Sequence, residues 1–364
     1  MQRPRLRDWG VKIGQYATGK HNAITDVKGV KVGHATIISG EGKLVRGKGP
    51  IRTGVTAILP HSHDLFHYRV AAGSFTLNGA GLVTGLAQAQ EWGAIETPIM
   101  LTNTLSVGQV HDAVLDYLLQ YYPEAGISSD PIIPLVAECD DSHLNDIQGR
   151  HVTREHVFEA LEQATSGPVA EGCVGAGTGM IAFDFKAGIG TASRVLPNCY
   201  GGYTVGALIL ANFGPRHCFQ IAGCPVGCII TDLLPDPHPD GSIVVVIATD
   251  APLTSLQLRR VAKRAALGIG RTGGYASHVS GEFCLAFSTS TIVPRRCSSL
   301  TIQLELLRDQ YLDPIFQATI EATEEAIINS LLQATDMRGR DDHIVYAVPL
   351  DRLYQLLKKQ GLAT

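Results

Sequence analysis

The sequence predicts a layered α/β fold whose strands are covered on both faces, and three observations carry that prediction. Several short runs are apolar on nearly every residue, as in YTVGALILAN (203–212) and SIVVVIAT (242–249), which fits strands buried from both sides. Amphipathic helical patterns alternate with those runs and supply the covering layers. Hydrophobic residues make up 45% of the 364 and charged residues only 18%. A thick core and buried subunit interfaces are therefore expected.

In chain order, strands are expected at GVTAILP (54–60), TPIMLTN (97–103), PIIPLVAE (131–138), YTVGALILAN, SIVVVIAT and FCLAFSTS (283–290). Helices are expected at 107–122, 153–164, 255–269 and across 301–335, where apolar residues recur at helical spacing. Thr153 and Ser255 are suitable N-caps, although neither is followed by the acidic or amide residue that completes a capping box. No repeat or low-complexity tract breaks the chain, so residues 1–364 read as a single domain.

Charge and composition exclude several function classes. With 34 acidic and 30 basic side chains the formal charge is −4, leaving no basic stripe for nucleic acid. No apolar run approaches the length of a membrane span, and the start, MQRPRLRDWG, lacks the apolar core of a secretory signal. A soluble, cytoplasmic protein without a membrane partner is expected. The eight cysteines form no CxxC pattern and read as free, buried thiols.

Three constellations suggest other chemistry and are better explained without it. His61, His63, Asp64 and His67 follow a strand but miss the spacing of a dinuclear zinc hydrolase, so no metal site is expected. GAGTGM (175–180) and GIGRTGG (268–274) lack the strand, helix and acidic residue of a dinucleotide fingerprint and the GK[ST] of a phosphate loop. Tight turns or close backbone approach account for their glycines. Arg271 suits the C-terminal end of its helix by charge alone.

The segment LLPDPHPDG (233–241) is the most informative. Its three prolines deny the backbone helix and ladder hydrogen bonds, so it must be an exposed loop. It stops at Gly241-Ser242 and enters an apolar strand directly. A long turn closed by glycine and serine is one reading. The other is self-processing: glycine has no Cβ, so the Ser242 hydroxyl can approach the Gly241 carbonyl. An N-to-O acyl shift and hydrolysis would leave Ser242 as a new N-terminus. Its free α-amine, with a reference pKa of about 8, could then act as base for its own hydroxyl.

Blocks along nearly the whole chain resemble the L-aminopeptidase/D-amidase-esterase family, the DmpA-type enzymes that include the β-peptidyl aminopeptidases. They include HNAITDVKGVKVGHATI (21–37), TNTLSVGQVHDA (102–113), GPVAEGCVGAGTGMIAFDFKAGIGTASR (167–194), DGSIVVVIATDAPL (240–253) and EATEEAIINSL (321–331). The resemblance implies a four-layer αββα sandwich of the N-terminal-nucleophile type. It implies a precursor that cuts itself at Gly241-Ser242 into fragments 1–241 and 242–364. Ser242 would be the nucleophile for the self-cut and for turnover. Ser280 and Glu282, in SGE, would orient the hydroxyl and move its proton, and Asn212 would stabilise the oxyanion. Glu138 would line the pocket for the substrate amine. Asp140, which also lines that pocket, stands where family members commonly carry an aromatic residue, which puts substrate preference in question.

The implied enzyme is a cofactor-independent serine aminopeptidase or amidase acting on small peptides, amides or esters with a free amine, assembled as a homo-oligomer of cleaved units. An ornithine acetyltransferase-like acyltransferase and an uncleaved, inactive scaffold are the alternatives. Serine at 242 argues against the first, since those transferases use threonine. The intact set Ser242, Ser280, Glu282 and Asn212 argues against the second.

Overall fold

A computed structural model describes residues 3–61, 64–238 and 241–364. Its strands are β1 (Lys31–Ser39), β2 (Ile51–Leu59), β3 (Tyr68–Gly79), β4 (Ala94–Ile95), β5 (Ile99–Asn103), β6 (Leu135–Cys139), β7 (Ile181–Ala182), β8 (Phe185–Lys186), β9 (Ile189–Val195), β10 (Thr204–Ala211), β11 (Ile243–Thr249), β12 (Gly281–Pro294), β13 (Met337–Arg338) and β14 (Ile344–Val345). The helices are α1 (Leu86–Trp92), α2 (Val107–Tyr121), α3 (Arg154–Glu162), α4 (Val226–Ile229), α5 (Ser255–Arg271), α6 (Asp313–Leu332) and α7 (Leu350–Lys359).

Two sheets stack face to face, one ordered β1-β2-β5-β6 and the other β4-β3-β12-β11-β10-β9. Alternation along β11 shows why its run is continuously apolar. Val244 and Val246 point into the layer between the sheets, with Ile58, Ile99 and Leu101 from the smaller sheet. Val245 and Ile247 point the other way, against Leu258 and Val261 of α5 and Ile327 and Ile328 of α6. Helices α2 and α3 cover the outer face of the smaller sheet through Val110, Val114, Val157 and Leu161. The order helix, sheet, sheet, helix is the four-layer αββα sandwich that the resemblance implied. Among the described residues no helix is long and apolar enough to cross a membrane.

Several local expectations are corrected. The segment 301–308 forms neither helix nor strand, and the helix begins at Asp313 with Pro314 in its first turn, where a fixed φ and a missing N–H cost least. In 131–138 only the stretch from Leu135 is strand, because Pro131 and Pro134 deny ladder bonds. The N-cap of α5 is Thr254, not Ser255: Thr254 and Gln257 complete a reciprocal box at 3.2 and 2.9 Å. Thr153 does cap α3, and His156 Nδ1 takes the reciprocal place by accepting from the Thr153 N–H at 3.1 Å. All eight cysteines are free, but only Cys139, Cys224 and Cys284 are buried, while Cys199, Cys228 and Cys297 are exposed.

The glycine motifs are close backbone approaches. A Cβ on Gly177 would lie 2.4 Å from the Ile189 nitrogen, and one on Gly273 only 1.8 Å from the Cys218 carbonyl oxygen. His61, buried, holds the Tyr68 carbonyl at 2.7 Å, and His67 pairs with Asp64 and Glu124. His63 lies outside the described residues.

One ionic knot went unread in the sequence. Arg194 of β9 is fully buried and meets Glu321 and Glu325, one turn apart on α6, at 3.1 and 2.7 Å; Arg7 closes the set on Glu325 at 2.9 Å. Burial alone would raise the Glu325 carboxyl, yet Arg194 and Arg7 hold it below its usual range. Removing Arg194 leaves buried Glu321 without its cation and Glu325 with Arg7 alone, so Arg194→Ala is expected to cost about 3–5 kcal/mol of stability in urea unfolding.

Candidate active site

Strand register brings the candidate residues to one end of the sandwich. Strands β11 and β12 are parallel with Ile243 opposite Glu282, which sets Ser242 level with Gly281. Strands β10 and β11 are antiparallel with Ala211 opposite Ile243, which sets Asn212 level with Ser242. From the other sheet, β6 ends beside them: Cys139 Sγ reaches the carbonyl oxygens of Ser242 at 3.3 Å and Leu210 at 3.7 Å. Four strand ends from two sheets therefore converge on Ser242.

The Ser242 hydroxyl oxygen accepts a hydrogen bond from the Gly281 N–H at 3.1 Å. Gly281 stands between Ser280 and Glu282, and the Ser280 hydroxyl donates to Glu282 Oε1. Glu282 Oε2 is buried and takes no hydrogen bond from any described residue. Burial raises the Glu282 carboxyl above its usual range, with the Ser280 bond pulling the other way. A carboxylate in that condition is a ready proton acceptor.

Asn212 is fixed at both ends of its amide. Its Oδ1 accepts from the Ile181 N–H at 2.8 Å, which settles which end is oxygen, and its Nδ2 donates to the Asp140 carbonyl at 2.8 Å. The second Nδ2 proton is left for the junction. Gly241 packs against that amide so closely that a Cβ would lie 2.1 Å from Nδ2 and 1.8 Å from the Asn212 carbonyl oxygen. Only glycine fits there. The Ser242 carbonyl oxygen in turn accepts from the Asn212 N–H at 3.0 Å.

A cleft of about 370 Å³ opens beside Ser242, lined among others by Thr104, Leu105, Glu138, Asp140 and Val279. Glu138 is almost fully buried; Thr104 donates to its Oε2, and the Leu82 N–H to its Oε1 at 2.9 Å. Burial pushes its carboxyl up, against those two bonds. Asp140 is held by Ser142, from the N–H at 2.8 Å and the hydroxyl at 3.1 Å.

The described part of the proline loop lines a second pocket with Asn212 and Gly241. Arg216, buried over the Phe185 ring, donates to the carbonyls of Ile230, Asp232 and Leu233, and His238 pairs with Asp184 at 3.0 Å. Pro239 and Asp240 lie outside the described residues. Ser242, Ser280, Glu282, Asn212, Gly241, Glu138 and Asp140 thus gather in one place. The sequence offered no local signal for Thr104, Gly281 or Arg216, which act only across the fold. Among the described residues no group of three or more histidine, cysteine or acidic side chains is arranged to hold a metal ion.

A buried serine at a strand start, a carboxylate–hydroxyl pair beside it and an amide packed against the preceding glycine stand at one end of a fold of the N-terminal-nucleophile hydrolase class. The chain belongs to peptidase family S58, which it matches over residues 22–345. It is 45% identical to a β-peptidyl aminopeptidase, BapA, from Sphingosinicella xenopeptidilytica, over 98% of this chain and 91% of that protein. Among solved structures it superposes on the PH0078 protein of Pyrococcus horikoshii OT3 with a TM-score of 0.93 at 52% identity, covering 98% and 99% of the two chains. It also superposes on the L-aminopeptidase D-Ala-esterase/amidase of Ochrobactrum anthropi, a serine aminopeptidase with a variant Ntn-hydrolase fold, with a TM-score of 0.92 at 41% identity over both full chains.

Proposed function

We propose that this peptidase is a self-processing serine aminopeptidase or amidase, and the placement of Gly241 against Asn212 beside Ser242 is the observation that carries the reading. In the precursor, the Ser242 oxygen attacks the Gly241 carbonyl while the Asn212 amide holds the oxyanion. The amide nitrogen leaves, and water hydrolyses the resulting ester. Fragments 1–241 and 242–364 stay together, because β3, β9 and β10 of the first and β11 and β12 of the second share one sheet.

Before the cut Ser242 has no free amine, so Glu282 with Ser280 must take the hydroxyl proton. Glu282 accepts a proton only when ionised, and burial raises its pKa. Processing is therefore expected to slow as the pH falls, through a midpoint above the ordinary glutamate value of about 4.3. Freshly translated precursor transferred to a pH series and followed by gel checks this. After the cut the α-amine of Ser242 becomes the base for turnover.

Glu138 supplies the anion for the ammonium of the substrate's first residue, and no cofactor is needed. The substrates are small peptides, amides or esters with a free N-terminus. A homo-oligomer of cleaved units is the assembly this reading carries, supported by the exposed Leu300, Ile302, Leu304 and Leu306 on and beside the 301–308 segment. Amino-acyl p-nitroanilides should be hydrolysed at least about 100-fold faster than their N-acetylated forms, since acetylation removes the charge that Glu138 binds. Comparable rates on both would refute the role of Glu138.

A further inference from the structure

The cleft beside Ser242 holds a second carboxylate that binding of one ammonium does not use. Glu138 and Asp140 stand two residues apart at the end of β6, with Cys139 turned between them into the protein. Along extended chain that spacing separates their Cα atoms by roughly 6.6 Å and sends both side chains to one side. None of the cleft's lining residues carries a positive charge. The Arg340 guanidinium donates to the Ser142 carbonyl at 2.6 Å and pairs with Asp341 at 2.7 Å. Asp140 is not loose: two bonds from Ser142 fix its carboxylate, and each oxygen keeps a lone pair for a ligand. Leu105 and Val279, both largely exposed, form apolar wall between the cleft and solvent.

We propose that Asp140 makes the cleft selective for N-terminal residues that carry a second positive charge on a short aliphatic stem, of the lysine or ornithine type. This rests on the reading of Glu138 as the site of the α- or β-ammonium. With that ammonium on Glu138, a stem of three or four methylenes can run along Leu105 and Val279 and bring its terminal ammonium to Asp140. An amphipathic stem of this kind buries its carbons and keeps its charge on a polar partner. An uncharged side chain of the same length fills the same space but leaves Asp140 without a cation.

The test is the ratio of kcat/KM for L-lysyl- over L-norleucyl-p-nitroanilide, with the β-homo-amino-acid pair run in parallel. An ion pair near a protein surface supports a ratio of about ten or more in the wild-type enzyme, smaller at high salt. In Asp140→Asn the ratio should collapse towards one. A wild-type ratio at or below one, or a ratio that survives in Asp140→Asn, overturns the proposal. Calorimetric binding of lysinamide against norleucinamide to Ser242→Ala measures the same preference without turnover. A protein that hydrolyses neither series refutes the aminopeptidase reading, and the binding ratio then decides the role of Asp140 alone.

Discussion

Ser242→Ala is expected to hydrolyse amino-acyl p-nitroanilides at least about 10⁴-fold more slowly than wild type. The substitution removes one hydroxyl from a residue that is almost fully buried, so the fold should survive. Removal of that oxygen takes away the nucleophile for both chemical steps and also leaves the α-amine locked in a peptide bond. The same variant should therefore remain one continuous chain. Circular dichroism matching the wild type, together with p-nitroaniline release at the uncatalysed rate, is the expected pair of results. Residual turnover within tenfold of wild type would place the nucleophile elsewhere.

Asn212→Ala is expected to lower kcat by about 10²–10³ while KM stays within a few-fold. On the proposed mechanism the Asn212 amide donates to an oxygen whose negative charge exists only in the tetrahedral state. Its loss should therefore appear in kcat. The same loss should slow the self-cut. Alanine also leaves the Ile181 N–H without its 2.8 Å partner, which costs about 1–3 kcal/mol of stability. Thermal unfolding run beside the kinetics separates that cost from the catalytic one. A rise in KM with kcat unchanged would make Asn212 a substrate-binding group instead.

The strands nearest the site were the easiest to find in the sequence. Runs such as IVVVIAT are apolar on every residue because one set of side chains meets the second sheet and the other meets α5 and α6. Strands β1, β3 and β9 carry too many small and polar residues to give that signal. Their glycines have a reason visible only in three dimensions. A Cβ on Gly73 of β3 would lie 2.2 Å from the Arg259 nitrogen of α5, and one on Gly190 of β9 2.0 Å from the Ala326 carbonyl oxygen of α6. Helices seat directly on those strands, and hydrophobic periodicity does not register such contact.

The site divides in the same way. Gly241-Ser242 stands out locally, as a proline loop running into a buried strand. Glu138, Asn212, Ser280 and Glu282 carry no local mark, and only the family resemblance singled them out. Their convergence depends on the registers of β6, β10, β11 and β12. Thr104 and Arg216 carry no local mark because their side chains bond to residues at least 14 positions away in the chain. The alternation in LTIQLELL (300–307) has a period of two rather than the helical period, in keeping with the absence of a helix there.

Intact mass of the purified wild-type protein, taken after denaturation, tests the self-processing reading most directly. Two chains with the masses of residues 1–241 and 242–364, and no 38.9 kDa species, are the expected result. A single 38.9 kDa chain, or a cut at any other bond, would contradict it.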